Sequence, residues 1–234
     1  MSPDLPDIAK VEAAILEMTN AYRAEVGRGA VALNVALQKA ARQYADYLAR
    51  AKDFSHTADG REPGERAKSA GYQMCAIAEN LSLNLDSRGF ESRALARQAV
   101  EGWINSPGHR DNLVAPHVTE IGIAVVRAPD AHPKFVTVQL LGRPQSLALK
   151  FQISNGSKRS VGYTFAGERH ELPPHHAVTH ETCEPGWISF EAAAQDGPKT
   201  LAARYEARDG LVYTLKEDAA RGIVVDVAAR KTVR

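Results

Sequence analysis

Through the first part of the chain, apolar residues recur at steps of three and four, the spacing of a helix that buries one face. Ile8, Val11, Ile15, Met18 and Tyr22 form the first such stripe, behind Asp7 as N-cap, and Gly27 ends it. A second helix starts near Asn34 and places Leu37, Ala41, Tyr44, Leu48 and Ala51 on one side. "PGERAKSAG" reads as a short third helix, with Pro63 in its first turn and Gly71 at its C-terminal cap. A fourth runs from about Glu91 to Asn105 and buries Leu95, Ala99 and Trp103, and Pro107 stops it.

Between these helices the period shortens. "AIAENLSL" (76–83) predicts a short strand, and "EIGIAVV" (120–126) and "KFVTVQLL" (134–141) stronger ones. Strands joined by helical connections suggest an α/β/α layered domain. The pattern changes after "GRPQS" (142–146). Seven short strands follow at roughly ten-residue spacing, from "LALKFQIS" to "GIVVDVAA", the signature of a small antiparallel sandwich or barrel. The expected organisation is α+β: a layered domain over 1–145 and an all-β domain over 146–234.

Composition narrows the function. The 234 residues carry 29 Lys and Arg against 28 Asp and Glu, with no basic stripe, so nucleic acid is not an expected partner. No apolar run approaches the roughly 18 residues of a spanning helix. "MSPDLPDIAK" lacks the layout of a secretion signal, which a mature exported protein would already have lost. The two cysteines, Cys75 and Cys183, fit no metal-ligand spacing; they form either a disulfide tying two distant regions together or two separate buried thiols.

Candidate chemistry gathers at "DFSHTADG" (53–60) and "EGWINSPGHRDNL" (101–113). His56 and His109 each follow a predicted helix, whose C-terminal dipole favours a cation. Glu79 of "AEN" lies between them in sequence. Two imidazoles and a carboxylate from three segments suit either an open zinc site or a hydrogen-bonded cluster in which the carboxylate sets the tautomers.

"NAYRAEVG", "FSHTADGREPGERAKSAGY", "AENLS" and "WINSPGHRDNL", followed by "EIGIAVV", stand in the order and approximate spacing of the CAP superfamily. This stretch, about residues 10–142, resembles cysteine-rich secretory proteins, antigen 5 and plant pathogenesis-related proteins, and above all their bacterial branch, with its W-x-x-S-x-G-H-R-x-N pattern. The resemblance implies an α/β/α sandwich with a surface cleft holding two His and two Glu. His56, His109 and Glu79 match three of these. Ala78 replaces the glycine of the family's G-E-N motif, and Ser106 stands where the second glutamate belongs, with Glu101 one turn earlier as a poorer substitute. The family's many disulfides are missing. A zinc or other divalent ion at His56, His109 and Glu79 would be weakly held.

The expected function is therefore binding without turnover by a secreted or periplasmic protein, with His56, Glu79, Ser106 and His109 lining the cleft. The resemblance implies sterols, fatty acids or cell-surface partners, and the residues leave lipid, sterol, peptide and cell-envelope glycan open as the ligand. One alternative is a hydrolase with Ser106, His109 and Glu79 as nucleophile, base and orienter, although no nucleophile elbow is present and Ser106 equally reads as a helix cap. The others are a metal-dependent enzyme using the same cleft and an envelope adhesin acting through the β-domain. Asn20, Arg23 and Asn112 read as structural, and Arg110 as the partner of a carboxylate. In "RHELPPHHAVTHETCEPG", His170, His175, His176 and His180 near Cys183 suggest either a copper or zinc site, with His176 and His180 on one face, or an exposed turn.

Overall fold

The computed structural model describes residues 5–194 and 197–230. The chain forms two compact units, Met1–Ser146 and Leu147–Arg234.

In the first unit the elements run α1 (Ile8–Glu25), β1 (Ala32–Leu33), α2 (Val35–Leu48), α3 (Pro63–Ser69), β2 (Met74–Leu85), α4 (Ser92–Ile104), α5 (Pro107–Val114), β3 (Glu120–Arg127) and β4 (Lys134–Pro144). The caps are those the sequence predicts. Asp7 accepts from Lys10 N–H, Asn34 from Ala36 and Leu37 N–H, and Gly71 follows α3 at φ +102°. The "AIAENLSL" strand extends further than its composition suggests: it is twelve residues long, and eleven of them pair with β4.

The strands form one sheet in the order β1-β3-β4-β2. Alternation along β3 sends Ile121, Ile123 and Val125 to one face, where they pack with Val11 and Ile15 of α1, Leu95 and Trp103 of α4 and Leu113 of α5. Ala124 faces the other side with Val136 and Val138, under Leu37, Tyr44 and Leu48 of α2 and Ala67 of α3. The result is the expected α/β/α sandwich. Helix α2 lies so close to β3 that a Cβ on Gly122 would sit 2.2 Å from the Leu37 carbonyl carbon. Arg23 is buried and donates to the carbonyls of Gly29, Leu113, Ala115 and Val118, which makes it a structural tie from α1 to the end of α5. Asn20 bonds both backbone groups of Val31.

One expectation is corrected. Pro107 does not merely stop α4: it is the first residue of a new helix, the position where its missing N–H leaves no bond unmade. His109 therefore lies in the first turn of α5, and a dipole favouring its cationic form is not what places it there.

The second unit contains β5 (Leu149–Asn155), β6 (Val161–Phe165), β7 (Glu168–Leu172), β8 (Ala177–Thr182), β9 (Trp187–Ala194), β10 (Gly197–Glu206), β11 (Leu211–Asp218) and β12 (Gly222–Ala229). They make two four-stranded sheets, β10-β9-β6-β7 and β12-β11-β5-β8, around a core that includes Phe151, Ile153, Tyr163, Ile188, Phe190 and Leu215. Strand β7 is an eighth strand beyond the seven expected. It returns from β6 through Ala166 and Gly167, both at positive φ (51° and 81°), a two-residue hairpin turn without the usual Asn-Gly signal.

Neither Cys75 nor Cys183 is a free thiol. Among the described residues no helix is long and apolar enough to cross a membrane.

Candidate functional site

Strand β2 is an edge strand, and its consecutive residues Glu79 and Asn80 face opposite ways. Each collects a different segment. On the side of Glu79 lies the loop between α2 and α3, which carries His56. Tyr44 of α2 donates its hydroxyl hydrogen to Ser55 O and accepts from Ala58 N–H, and Tyr47 donates to Ala58 O at 2.7 Å. From α3, Arg66 donates to His56 O (2.9 Å) and to Asp59 Oδ1 (2.9 Å), with its guanidinium stacked 3.4 Å from the centre of the Tyr44 ring. The loop is thus held from both flanking helices.

His56 Nδ1 lies 2.8 Å from Glu79 Oε1, while Arg66 Nη2 donates to Glu79 Oε2, also at 2.8 Å. Both carboxylate oxygens are engaged. Burial pushes the Glu79 carboxyl above its ordinary range, against the opposing pull of Arg66 and His56. The His56 ring itself is half exposed.

Asn80 is buried and donates to Gln139 Oε1 (3.0 Å) and to His109 O (3.2 Å). Asn112 completes the clamp, donating to Glu79 O (3.1 Å) and Asn80 Oδ1 (2.9 Å). These bonds fix α5 across the middle of β2 and bring His109 into the site. Its Nδ1 is 3.0 Å from Ser106 Oγ. Ser106 holds the N-cap position of α5, but its side chain makes no capping bond; it is spent on the imidazole instead. Burial lowers the His109 pKa, and the nearby charge of His56 lowers it further.

The structure thus assembles the predicted residues as two pairs, His56 with Glu79 and His109 with Ser106. In each, Nδ1 is the engaged ring nitrogen, and among the described residues Nε2 makes no hydrogen bond. Glu79 is bonded to His56, and no hydrogen bond joins it to His109 among the described residues. For a metal, the donor set is thin: both Glu79 oxygens already accept a bond, Ser106 stands where the family's second carboxylate belongs, and Glu101 is exposed without a bond to either histidine. Among the described residues no group of three or more His, Cys, Asp or Glu is arranged to hold an ion. Arg110 is exposed and, among the described residues, is paired with no carboxylate. Beside His56 a hollow of about 470 Å³ is lined by Glu62, Pro63, Gly64, Ile77 and Ala78. Arg66 and Asn80 are the site residues that periodicity and composition left unmarked.

The histidines of the second unit also separate. His170 on β7 and His180 on β8 meet with ring centres 5.6 Å apart, and His180 Nε2 is 2.9 Å from Tyr163 Oη. His176 instead bonds Pro174 O in the preceding turn, where His175 has φ 57°. The expected His176–His180 face does not form, and Cys183 is not a free thiolate to join it.

Comparison with known proteins supports the first unit. A curated relative, the uncharacterized protein YkwD of Bacillus subtilis, is 26% identical over 122 residues, 52% of this chain and 44% of the relative. This chain's match therefore spans less than half of that protein. Among solved structures, an outer surface protein of Borrelia burgdorferi aligns with 58% of this chain and 94% of its own, at a TM-score of 0.51 and 20% identity. An extracellular SCP-domain protein of Bacillus anthracis aligns with 58% of this chain and 41% of its own, at a TM-score of 0.48 and 23% identity. The model of the cysteine-rich secretory protein family matches residues 16–140, more than half of the sequence, and the chain belongs to that family, CAP, in its bacterial branch.

Proposed function

We propose that the cleft around His56, Glu79, Ser106 and His109 binds a small ligand of lipid or peptide type without turning it over, in a protein that works outside the cytoplasm. The observation that carries this reading is the double engagement of Glu79. A carboxylate bonded to His56 through one oxygen and to Arg66 through the other is held in place and orients an imidazole. Two Nε2 atoms then offer a hydrogen-bonding pair. Pro63, Ile77 and Ala78 beside His56 offer an apolar wall, a combination suited to a ligand with a polar head and a short apolar portion. The extracellular and outer-surface relatives support the location.

The test is native mass spectrometry of the full chain purified from its own host. The expected result is a retained organic adduct, lost in His56→Ala and His109→Ala. Adduct-free protein would overturn the reading. So would a zinc-dependent rise in Tm that His56→Ala abolishes, which would establish the metal in its place.

A further inference from the structure

The second unit has a feature unrelated to the cleft. Trp187, at the start of β9, leaves 55% of its surface in solvent, and Val227 of β12 leaves 40%. Together with Leu211 they form the apolar part of a shallow hollow of about 270 Å³. Arg204, Glu206 and Arg208 line the rest. Tryptophan is enriched at recognition surfaces, where its apolar ring and polar N–H can both be used.

The hollow is also rigidly built. Tyr213 donates its hydroxyl hydrogen to Glu206 O and accepts from Arg208 N–H (3.1 Å), fixing the turn after β10 from below. Ala207 N–H donates to Gly186 O (2.8 Å), which ties that turn to the residue before Trp187. Beneath, Tyr205 packs edge-on against Tyr213, ring centres 6.1 Å apart. A site held in shape before binding loses little entropy when it is filled.

Its charge selects the occupant. Arg208 closes on Glu206, with Nε at 2.8 Å and Nη2 at 2.7 Å from Oε2, and the two charges cancel. Arg204 is exposed and, among the described residues, is paired with no carboxylate, so the hollow carries one uncompensated positive charge. A long acyl chain would overrun a space this small, and an apolar side chain would want a deeper, drier pocket. A flat ring with a C–H face, a hydroxylated rim and an anionic substituent matches all three elements: indole, Glu206–Arg208 pair and unpaired guanidinium.

We propose that this hollow binds an acidic saccharide, a pyranose ring lying on Trp187 with its carboxylate paired to Arg204. The chain holds two tryptophans, and the other, Trp103, is buried with Nε1 bonded to Leu81 O (2.9 Å). A change in tryptophan emission when sugar is added to the intact protein therefore reports on the exposed Trp187. Titration with an alginate hexasaccharide, an oligouronate, should change the emission saturably, and maltohexaose, its neutral counterpart, should bind more weakly. By calorimetry, Trp187→Ala should lose about tenfold or more in affinity for the uronate, the scale of an aromatic hot spot. Arg204→Gln should bind the two sugars alike and lose the salt dependence of uronate binding. Unchanged Tm in both variants separates these losses from misfolding; if Trp187→Ala does not fold, Arg204→Gln decides alone. No uronate binding, uronate and maltohexaose bound equally by the parent protein, or undiminished discrimination in Arg204→Gln would overturn the proposal.

Discussion

Arg66 and Glu79 form an ion pair at 2.8 Å with both side chains almost wholly withdrawn from solvent, and the pair sits directly beneath His56. Because each charge is buried against the other, removing one strands its partner. Arg66→Met should destabilise the first unit by about 3–5 kcal/mol in urea unfolding. Arg66→Met combined with Glu79→Leu should recover much of that loss. A double variant as unstable as the single one would show that Arg66 matters only through Asp59 and Tyr44.

Ser106 touches His109 and not the backbone of α5, so its hydroxyl governs an imidazole and not a helix end. Ser106→Ala should therefore cost no more than about 1 kcal/mol of stability. It should still shift the His109 tautomer ratio, read from the ring ¹⁵N resonances. Unchanged resonances with a large drop in Tm would point to a capping role after all.

Asn80 is the buried joint between β2, β4 and α5. Replacing it with Ala takes the donor from Gln139 Oε1 and His109 O and one of two acceptors from the Asn112 amide, and about 2–3 kcal/mol should be lost. Asn80→Ala should also release α5, raising amide exchange over residues 107–114 while exchange in α2 stays slow. Uniform exchange across both helices would contradict this local role.

In the second unit, burial holds the His180 pKa below the ordinary histidine range, and the charge of His170 adds to this. The titratable groups facing it are His170 and Tyr163, neither of which balances a proton. The unfolded chain then binds the proton more readily than the fold. This contribution to stability is complete above about pH 6.5 and is lost as the pH falls below that value towards the lowered folded pKa. Thermal unfolding followed by near-ultraviolet circular dichroism should show this loss, and His180→Phe should flatten it. An identical slope in the variant would remove His180 as the cause.

The helices of the first unit were legible because their burial is periodic and their caps are local: Asp7, Asn34 and Gly71 act on atoms within a few residues. Helix α5 was not, since a proline after a helix reads equally as a stop or as a first turn, and the difference lies in bonds from Asn80 and Asn112 to distant segments. The same holds for the site. His56, Glu79, Ser106 and His109 were recognisable as a motif, but which pairs with which depends on Arg66 taking the second oxygen of Glu79. Strand β7 escaped because Ala166–Gly167 makes a tight hairpin without its customary residues. The pairing of His170 with His180 escaped because it joins edge strands of two different sheets.

Arg23 reaches across roughly ninety residues of sequence to hold the end of α5. The cleft is therefore no autonomous loop that could be excised or grafted with its motif alone. A fragment starting beyond α1 would leave buried carbonyls around α5 with nothing to satisfy them, and α5 is the element that carries His109. The N-terminal helix, which supplies none of His56, Glu79, Ser106 and His109, is in this sense the keystone of their arrangement.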